Sequence, residues 1–220
     1  PGRFPLLITR LLIANRGEIA LRIVRACRDL GIQTVAAYTR ADRNLLHLRH
    51  VDEAVCVGER DYLNINNHLM AARATNCDAI HPGYGFLAEN ADFAAATEAA
   101  GLVFVGPSAA HIRLMGDKVK AREKALELGL SLTPGTAALD ALTVAQEAQA
   151  IGYPLILKAA AGGGGRGMRV VAGPDGLNPA LLQAKEEANT FFGDGTIYLE
   201  RFYPDARHVE VQVLGDGQGH

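Results

Sequence analysis

The sequence has no tryptophan, only three cysteines and almost no charge imbalance, with 22 Lys+Arg against 24 Asp+Glu in 220 residues. The near-neutral balance removes the basic footprint that nucleic acid requires and the polybasic surface that anionic lipid requires. A charged ligand must therefore be held by a local site. No run approaches the ~18 uninterrupted apolar residues that span a bilayer. The apolar stretch from Phe4 to Ile13 is broken by Thr9 and Arg10 and leads into a periodic segment and not a small-residue cleavage site, so it does not read as a signal peptide. Cys27, Cys56 and Cys77 lie within apolar patterns without CxxC or Cys/His metal spacing, and are expected to be reduced core thiols. The first residue is Pro1 and not Met, which points to removal of something upstream or to a piece of a longer chain.

What is present is the composition of a globular protein, 49% hydrophobic and 21% charged, which excludes disorder and collagen-like folds. The length fits one large domain or two modest ones at ~100 to 200 residues each. To about residue 115, short apolar or β-branched runs alternate with helical periods, the βαβα pattern of a parallel sheet. Strands are expected at Leu11 to Ala14, Gln33 to Tyr38, Glu53 to Val57, Asp78 to His81 and Leu102 to Val105. Helices are expected at Glu18 to Leu30 (apolar stripe Ile19, Ile23, Cys27, Leu30, then Gly31), Ile65 to Thr75 and Ala88 to Ala100. Two short helices follow Gly106-Pro107-Ser108, the second opening at Asp117 and ending at Gly129. The remainder reads as helix (Leu142 to Ile151), strand (Leu155 to Lys158), glycine loop, strand (Met168 to Val171), helix (Leu177 to Phe192), strand (Thr196 to Glu200) and a last strand, Arg207 to Leu214.

The glycine loop Ala161-Gly-Gly-Gly-Gly-Arg166-Gly-Met168 contains G-x-G-x-x-G, but the strand sequence Met168-Arg-Val-Val171 follows where a dinucleotide loop must open a helix. No Lys-Ser or Lys-Thr follows for a Walker loop. A hairpin whose bare amides close over phosphates fits better, and a flexible linker is the plain alternative. Lys158 ends an apolar strand, so its ammonium is drawn partly from water at a cost of several kcal/mol unless an anion compensates, as a phosphate would. Lys118 opposes the helix macrodipole in a first turn by about 0.3–1 kcal/mol. Singly, each lysine reads as a surface residue; with the glycine loop they point to a nucleoside-triphosphate cleft. In the last strand, period two places His208, Glu210 and Gln212 on one face and Val209, Val211 and Val213 on the other, the valines expected in the core. The polar face is open to a second reading as simply solvated. Glu200, at a strand end, can accept from an adenine amino group.

These motifs in this order resemble the biotin carboxylase family of the ATP-grasp superfamily. Ile13-Ala-Asn-Arg-Gly-Glu-Ile-Ala20, His81-Pro-Gly-Tyr-Gly-Phe-Leu-Ala-Glu-Asn90, Met115-Gly-Asp-Lys118, Lys158 with Gly162 to Met168, and Arg207-His-Val-Glu-Val-Gln212 carry the resemblance from about Arg10 onward. It implies an α/β fold: a parallel-sheet preATP-grasp (Rossmann-like) domain over 1–115, connecting helices over 116–131, the ATP-grasp lid subdomain over 132–203 and the start of the ATP-grasp core over 204–220. It implies a reaction in which ATP activates bicarbonate as carboxyphosphate and the carboxyl group passes to N1 of biotin on a carrier protein. Lys118 and Lys158 are then similar to the lysines that grip the ATP phosphates, and Gly164 and Gly165 to the lid above them. Met168 resembles a wall of the adenine pocket, Glu200, Arg201, Phe202 and Tyr203 the hinge that reads adenine, and His208 the residue beside ribose and phosphates. Tyr84 and Gly85 resemble the part that meets the biotin ring.

By the same resemblance the Mg²⁺ ligands and the catalytic Lys, Arg and Glu residues are expected beyond His220, leaving this chain catalytically incompetent alone. The implied partners are the biotin carboxyl carrier protein or domain, a carboxyltransferase subunit and a second copy in a homodimer, contacting the helix of Arg22, Arg25 and Asp29. A cytoplasmic acetyl-CoA carboxylase of fatty acid biosynthesis, or another carboxylase including one of the mitochondrial matrix, is the implied setting. Rival readings are another ATP-grasp ligase of the carbamoyl-phosphate or purine-pathway type, and a non-catalytic ATP-binding or dimerisation fragment. A nicotinamide oxidoreductase is a third, weakened by Asn15-Arg-Gly-Glu18, which has one glycine where three are needed.

Overall fold

Alternating apolar runs and helical periods become two compact units, Pro1–Gly116 and Asp117–His220. The structure, a computed structural model, describes residues 8–137, 139, 143–161 and 168–216. In the first unit β1 (Arg10–Ile13), β2 (Gln33–Thr39), β3 (Glu53–Gly58), β4 (Ala79–His81) and β5 (Val103–Phe104) form one parallel sheet in the order β3-β2-β1-β4-β5. Helix α1 (Gly17–Asp29) buries Ala20, Ile23, Val24 and Cys27 against Leu11, Ile13 and Ala79 on one face. On the other, α2 (Ile65–Ala74), α3 (Ala91–Ala99) and α4 (Ala109–Gly116) bring Ala71, Ala72, Phe93, Ala94 and Ile112 onto Leu12, Val35 and Ile80. Both faces are covered, which is why the strands read as continuous apolar runs. Leu12, Ile13 and Ile80 are fully buried, each such side chain stabilising by about 1.5–3 kcal/mol.

In the second unit β6 (Leu155–Ala159) lies between β7 (Arg169–Val171) and β8 (Ile197–Arg201), antiparallel to both. Period two sends Leu155, Leu157, Ala159, Val171, Ile197 and Leu199 to one face, where α6 (Val144–Ile151) and α7 (Leu177–Phe192) cover them with Val144, Ala148, Leu181, Ala184 and Ala188. The outer edge of β8 is not left bare. Arg201 N donates to Pro134 O at 2.8 Å, Thr136 N to Leu199 O at 2.9 Å and Leu139 N to Ile197 O at 2.9 Å. Helix α5 (Lys118–Glu127) opens this unit.

The expected helix over Leu177 to Phe192 forms with those bounds. Others shift. The helix expected from Ala88 begins at Ala91 because the Asn90 side chain accepts from Phe93 N and caps it there. The helix expected from Leu142 begins at Val144, Leu142 itself lying outside the described residues. Leu30, assigned to the α1 stripe, falls past the last turn and is 73% exposed. Cys27 and Cys77 are buried, and burial pushes both thiols up. Cys56 is exposed, against expectation, because β3 is an edge strand with only partial cover. The clearest correction is the strand expected over Arg207 to Leu214. That segment has no strand structure, and Val209, Val211 and Val213 are 79%, 83% and 79% exposed. A strand needs a neighbour for its amides and a surface for its apolar face, and among the described residues neither lies beside it.

Three histidines of the first unit have depressed basicity through burial: His47, His68 and His81. His68 Nε2 lies 2.9 Å from Tyr62 O, and both ring nitrogens of His47 are buried without a partner. The folded pKa values lie below the unfolded value near 6.5, so the unfolded chain takes up protons that the folded chain refuses. Stability is therefore complete above about pH 6.5 and falls as pH drops, with a slope of at most ~1.4 kcal/mol per pH unit per histidine. Urea midpoints are expected to decline between about pH 7.5 and 5.5, less steeply in His47→Leu. A pH-independent midpoint would contradict this.

Candidate functional site

Two constellations stand out, one in each unit. In the first, the chain leaves β1 and β4, adjacent strands at which the order of winding reverses, and open α/β sheets place ligands outside the carboxyl ends of such strands. Ala14-Asn15-Arg16 follows β1 and Pro82-Gly83-Tyr84-Gly85 follows β4. Asn15, 2% exposed, holds the two loops together. Its Nδ2 donates to Pro82 O at 2.7 Å and Tyr84 O at 2.8 Å, and its Oδ1 accepts from Arg16 N at 2.8 Å. Gly83 N donates to His81 Nδ1 at 3.0 Å.

Tyr84 is thereby presented outward, 61% exposed, and its hydroxyl donates to Glu18 in the first turn of α1. That bond, then partial desolvation and the Glu18 charge, raise its pKa. Gly85 also has a left-handed backbone, φ 65°. Beside them Arg16 Nη1 pairs with Asp42 at 2.9 Å, and its guanidinium carbon lies 5.8 Å and 5.6 Å from the ring centres of Tyr62 and Phe86. Those rings stack at 5.0 Å, and Phe86 adopts φ 42°, strained for a non-glycine residue. Burial pushes the Tyr62 hydroxyl up to about 12, so it stays neutral. The sequence reading named Tyr84 and Gly85 but missed Asn15 and the Arg16 platform. Their signal was faint: a polar pair at the end of an apolar strand.

In the second unit the sheet face opposite α6 and α7 carries Ile156, Lys158, Tyr198 and Glu200 by alternation. Lys158 and Glu200 form an ion pair. Glu200 Oε1 also accepts from Arg122 Nη1 of α5 at 2.7 Å. Glu200 is thus an anion that compensates Lys158 within the chain itself. Each Glu200 oxygen is engaged by one cation, Oε1 by Arg122 and Oε2 by Lys158. Lys118 is the first residue of α5, and its amide donates to Ala160 O at 3.4 Å, which brings that helix start to the end of β6. The macrodipole mismatch expected of Lys118 is offset by Asp117, whose side chain accepts from Val119 N at 3.0 Å and Lys120 N at 3.1 Å. Burial opposes it, but those bonds and the Lys120 ammonium hold the Asp117 carboxyl below its usual range.

The other expected residues scatter. Met168, 46% exposed, immediately precedes β7 on the parity of Val170. Arg201 points away from Glu200, its Nη1 3.5 Å from Ile151 O at the end of α6. Phe202 N donates to Pro154 O at 3.0 Å, and Tyr203 is 52% exposed. His208 lies on the extended tail, its Nε2 3.6 Å from Glu210, both side chains more than four-fifths exposed. Gly164 and Gly165 lie outside the described residues. Arg122 was missed entirely, since nothing in Lys118-Val-Lys-Ala-Arg122 separates it from other surface cations. Among the described residues no group of three or more His, Cys, Asp or Glu is placed to hold a metal ion, and no helix is long and apolar enough to cross a membrane.

Residues 7–112 match the family described as Biotin carboxylase, N-terminal domain, and residues 117–220 that described as Carbamoyl-phosphate synthase L chain, ATP binding domain. The chain is 52% identical over 221 residues to the biotin carboxylase of Pseudomonas aeruginosa, covering 97% of this chain and 49% of that protein. It is 46% identical over 220 residues to the mitochondrial pyruvate carboxylase of Homo sapiens, covering 97% of this chain and 19% of that protein. Among solved structures it is similar to a biotin carboxylase–β,γ-ATP complex from Campylobacter jejuni, with a TM-score of 0.86 and 45% identity over 89% of this chain and 45% of that chain. The biotin carboxylase domain dimer of Hydrogenobacter thermophilus 2-oxoglutarate carboxylase, solved with MgADP, ADP and bicarbonate, gives a TM-score of 0.84 at 40% identity over 90% of this chain and 45% of that one. The chain spans about half the length of the curated biotin carboxylases it matches.

A Cβ at Gly83 would stand 2.8 Å from Asn15 Nδ2 and 3.1 Å from Ile19 Cγ1, on a backbone already at φ 65°. Gly83→Ala is therefore expected to cost about 2–4 kcal/mol, from left-handed strain and displacement of the Asn15 clamp. Urea denaturation checks the cost, and a loss below about 0.5 kcal/mol would contradict the clamp.

Proposed function

Because the chain belongs to the biotin carboxylase family, of which it holds the N-terminal portion, we propose that it grips ATP for a biotin carboxylase, an ATP-dependent ligase. In this reaction the γ-phosphoryl group of ATP passes to a bicarbonate oxygen, giving ADP and carboxyphosphate, and the carboxyl group is then transferred to N1 of carrier-bound biotin, releasing phosphate. The observation that carries the reading is the cluster of Lys158, Arg122 and Glu200 at the polar face of the second sheet. Lys158 stands there in a pair that an incoming phosphate can open, with the first residue of α5, Lys118, tied to the end of the same strand. Charge neutralisation and positioning are most of what phosphoryl transfer asks of a protein.

On this reading Lys118 and Lys158 hold the phosphates, Gly164 and Gly165 cover them, and Met168 borders the base. Glu200 to Tyr203 meet adenine through backbone. The amides of Arg201 and Phe202 already donate to Pro134 and Pro154, which leaves that role to Tyr203. His208 serves ribose and phosphates. Tyr84 and Gly85, held outward by Asn15, face the biotin ring. The described residues do not fit Mg²⁺, since no carboxylate cluster is present and Glu200 is occupied by two cations. The metal ligands and the groups that act on bicarbonate and biotin are assigned to the other half of the parent protein.

The N-terminal domain match favours this reaction over carbamoyl-phosphate or purine-pathway chemistry, which the ATP-binding domain alone does not separate. The parent works with a biotin carrier and a carboxyltransferase. Its acceptor is acetyl-CoA in a cytoplasmic carboxylase of fatty acid biosynthesis, or pyruvate in a pyruvate carboxylase. Arg22, Arg25 and Asp29, exposed on α1, contact a second copy in its dimer.

Lys158→Ala is expected to weaken ATP binding to this chain at least about tenfold, ~1.4 kcal/mol, by calorimetry. The circular dichroism should stay unchanged, and the same substitution should abolish bicarbonate-dependent ATP cleavage in the full-length parent. Undiminished binding and turnover would overturn the assignment.

A further inference from the structure

Glu200 is a largely buried carboxylate shared by two cations that differ in freedom. Its side chain is 12% exposed, that of Arg122 is 15% and that of Lys158 is 27%. Arg122 is held on two sides: Nη1 donates to Glu200 at 2.7 Å and Nη2 to Thr133 O at 2.8 Å. The chain closes over it at Gly135, where a Cβ would lie 2.8 Å from Arg122 Nη2, 2.6 Å from Leu199 O and 3.1 Å from Glu200 Cγ. Lys158 is a single ammonium on a flexible stem, diagonal to Glu200 in the β6–β8 register, where Ile156 pairs with Glu200 and Lys158 with Tyr198. The arrangement is therefore a fixed fork and a mobile point charge on one anion.

We propose that Arg122 is a positioning residue of the nucleotide site, which by sharing the Glu200 carboxylate leaves Lys158 free to turn to an incoming phosphate. The inference rests on the nucleotide-binding reading above. A largely buried carboxylate that loses its only counter-ion is strongly penalised, whereas one that keeps a charge-assisted hydrogen bond from an arginine is penalised less. With Arg122 present, Lys158 leaves Glu200 compensated. Without it, Lys158 is the one cation paired with Glu200, and each phosphate contact it makes strands a charge. Arg122 touches no substrate in this account; it sets how readily Lys158 is exchanged.

The test reads Lys158 directly. The chain is acetylated to low conversion with acetic anhydride, and the Lys158 rate is measured by peptide mass spectrometry relative to Lys185 on α7. Arg122→Gln is expected to slow Lys158 at least about threefold, because Glu200 then holds it alone. Adding Glu200→Gln is expected to return the rate to that of the unsubstituted chain or above. Arg122→Lys, which keeps the charge, is expected to stay within about twofold, and it decides the matter should Arg122→Gln unfold. A structural role alone predicts the opposite: loss of Arg122 loosens the unit and speeds acetylation, with no reversal by Glu200→Gln. That result, an unchanged rate, or a drop in Arg122→Lys as large as in Arg122→Gln would overturn the proposal. ATP added to the same reaction is expected to protect Lys158, with a midpoint at least about fivefold higher in Arg122→Gln. Lack of protection in the unsubstituted chain counts against the nucleotide reading itself, while the anhydride rates still decide the charge sharing.

Discussion

The second unit is organised around one carboxylate. Glu200 joins β8 to β6 through Lys158 and to α5 through Arg122, and the same arginine reaches Thr133 in the segment that pairs with the outer edge of β8. Three pieces of chain far apart in sequence are thereby fixed by a charge that none of them can leave unpaired. Burying an ion is costly and half-satisfying it is worse, so the geometry that satisfies Glu200 fully also sets where Lys158 can point. The helices α6 and α7 supply the apolar half of the unit, and the opposite sheet face is left to polar chemistry.

The first unit solves a different problem with a neutral clamp. A parallel sheet covered on both faces has its carboxyl ends as the place where loops from different strands meet. Asn15 exploits this by satisfying the carbonyls of Pro82 and Tyr84 from within. The loop that follows β4 is tied to the loop after β1 for that reason, and Tyr84 stands clear of the core beside a left-handed Gly83 where a Cβ would meet Asn15 and Ile19.

Similarity to biotin carboxylases covers both units, yet the chain spans about half of those proteins. The ATP-binding match alone is shared with carbamoyl-phosphate synthase, and the preceding domain gives the assignment its direction. The described residues supply cations and backbone, and no acidic cluster.

Much of the fold was legible because period and punctuation are local properties. The helical period of α7 and the opening of α5 at Asp117 each follow from neighbours along the chain. The strand expected over Arg207 to Leu214 had the right period but no partner among the described residues, and alternation cannot supply one. Cys56 had the right residue type in the wrong strand, since its exposure depends on β3 being an edge. The sequence by itself determined the elements, their faces and the motifs of the family. Only the tertiary structure decided that the anion facing Lys158 is Glu200, that Arg122 shares it and that Asn15 clamps the Tyr84 loop. Charge pairing and buried hydrogen bonds join residues 78 and 69 positions apart, and no local pattern encodes which of many similar side chains will meet.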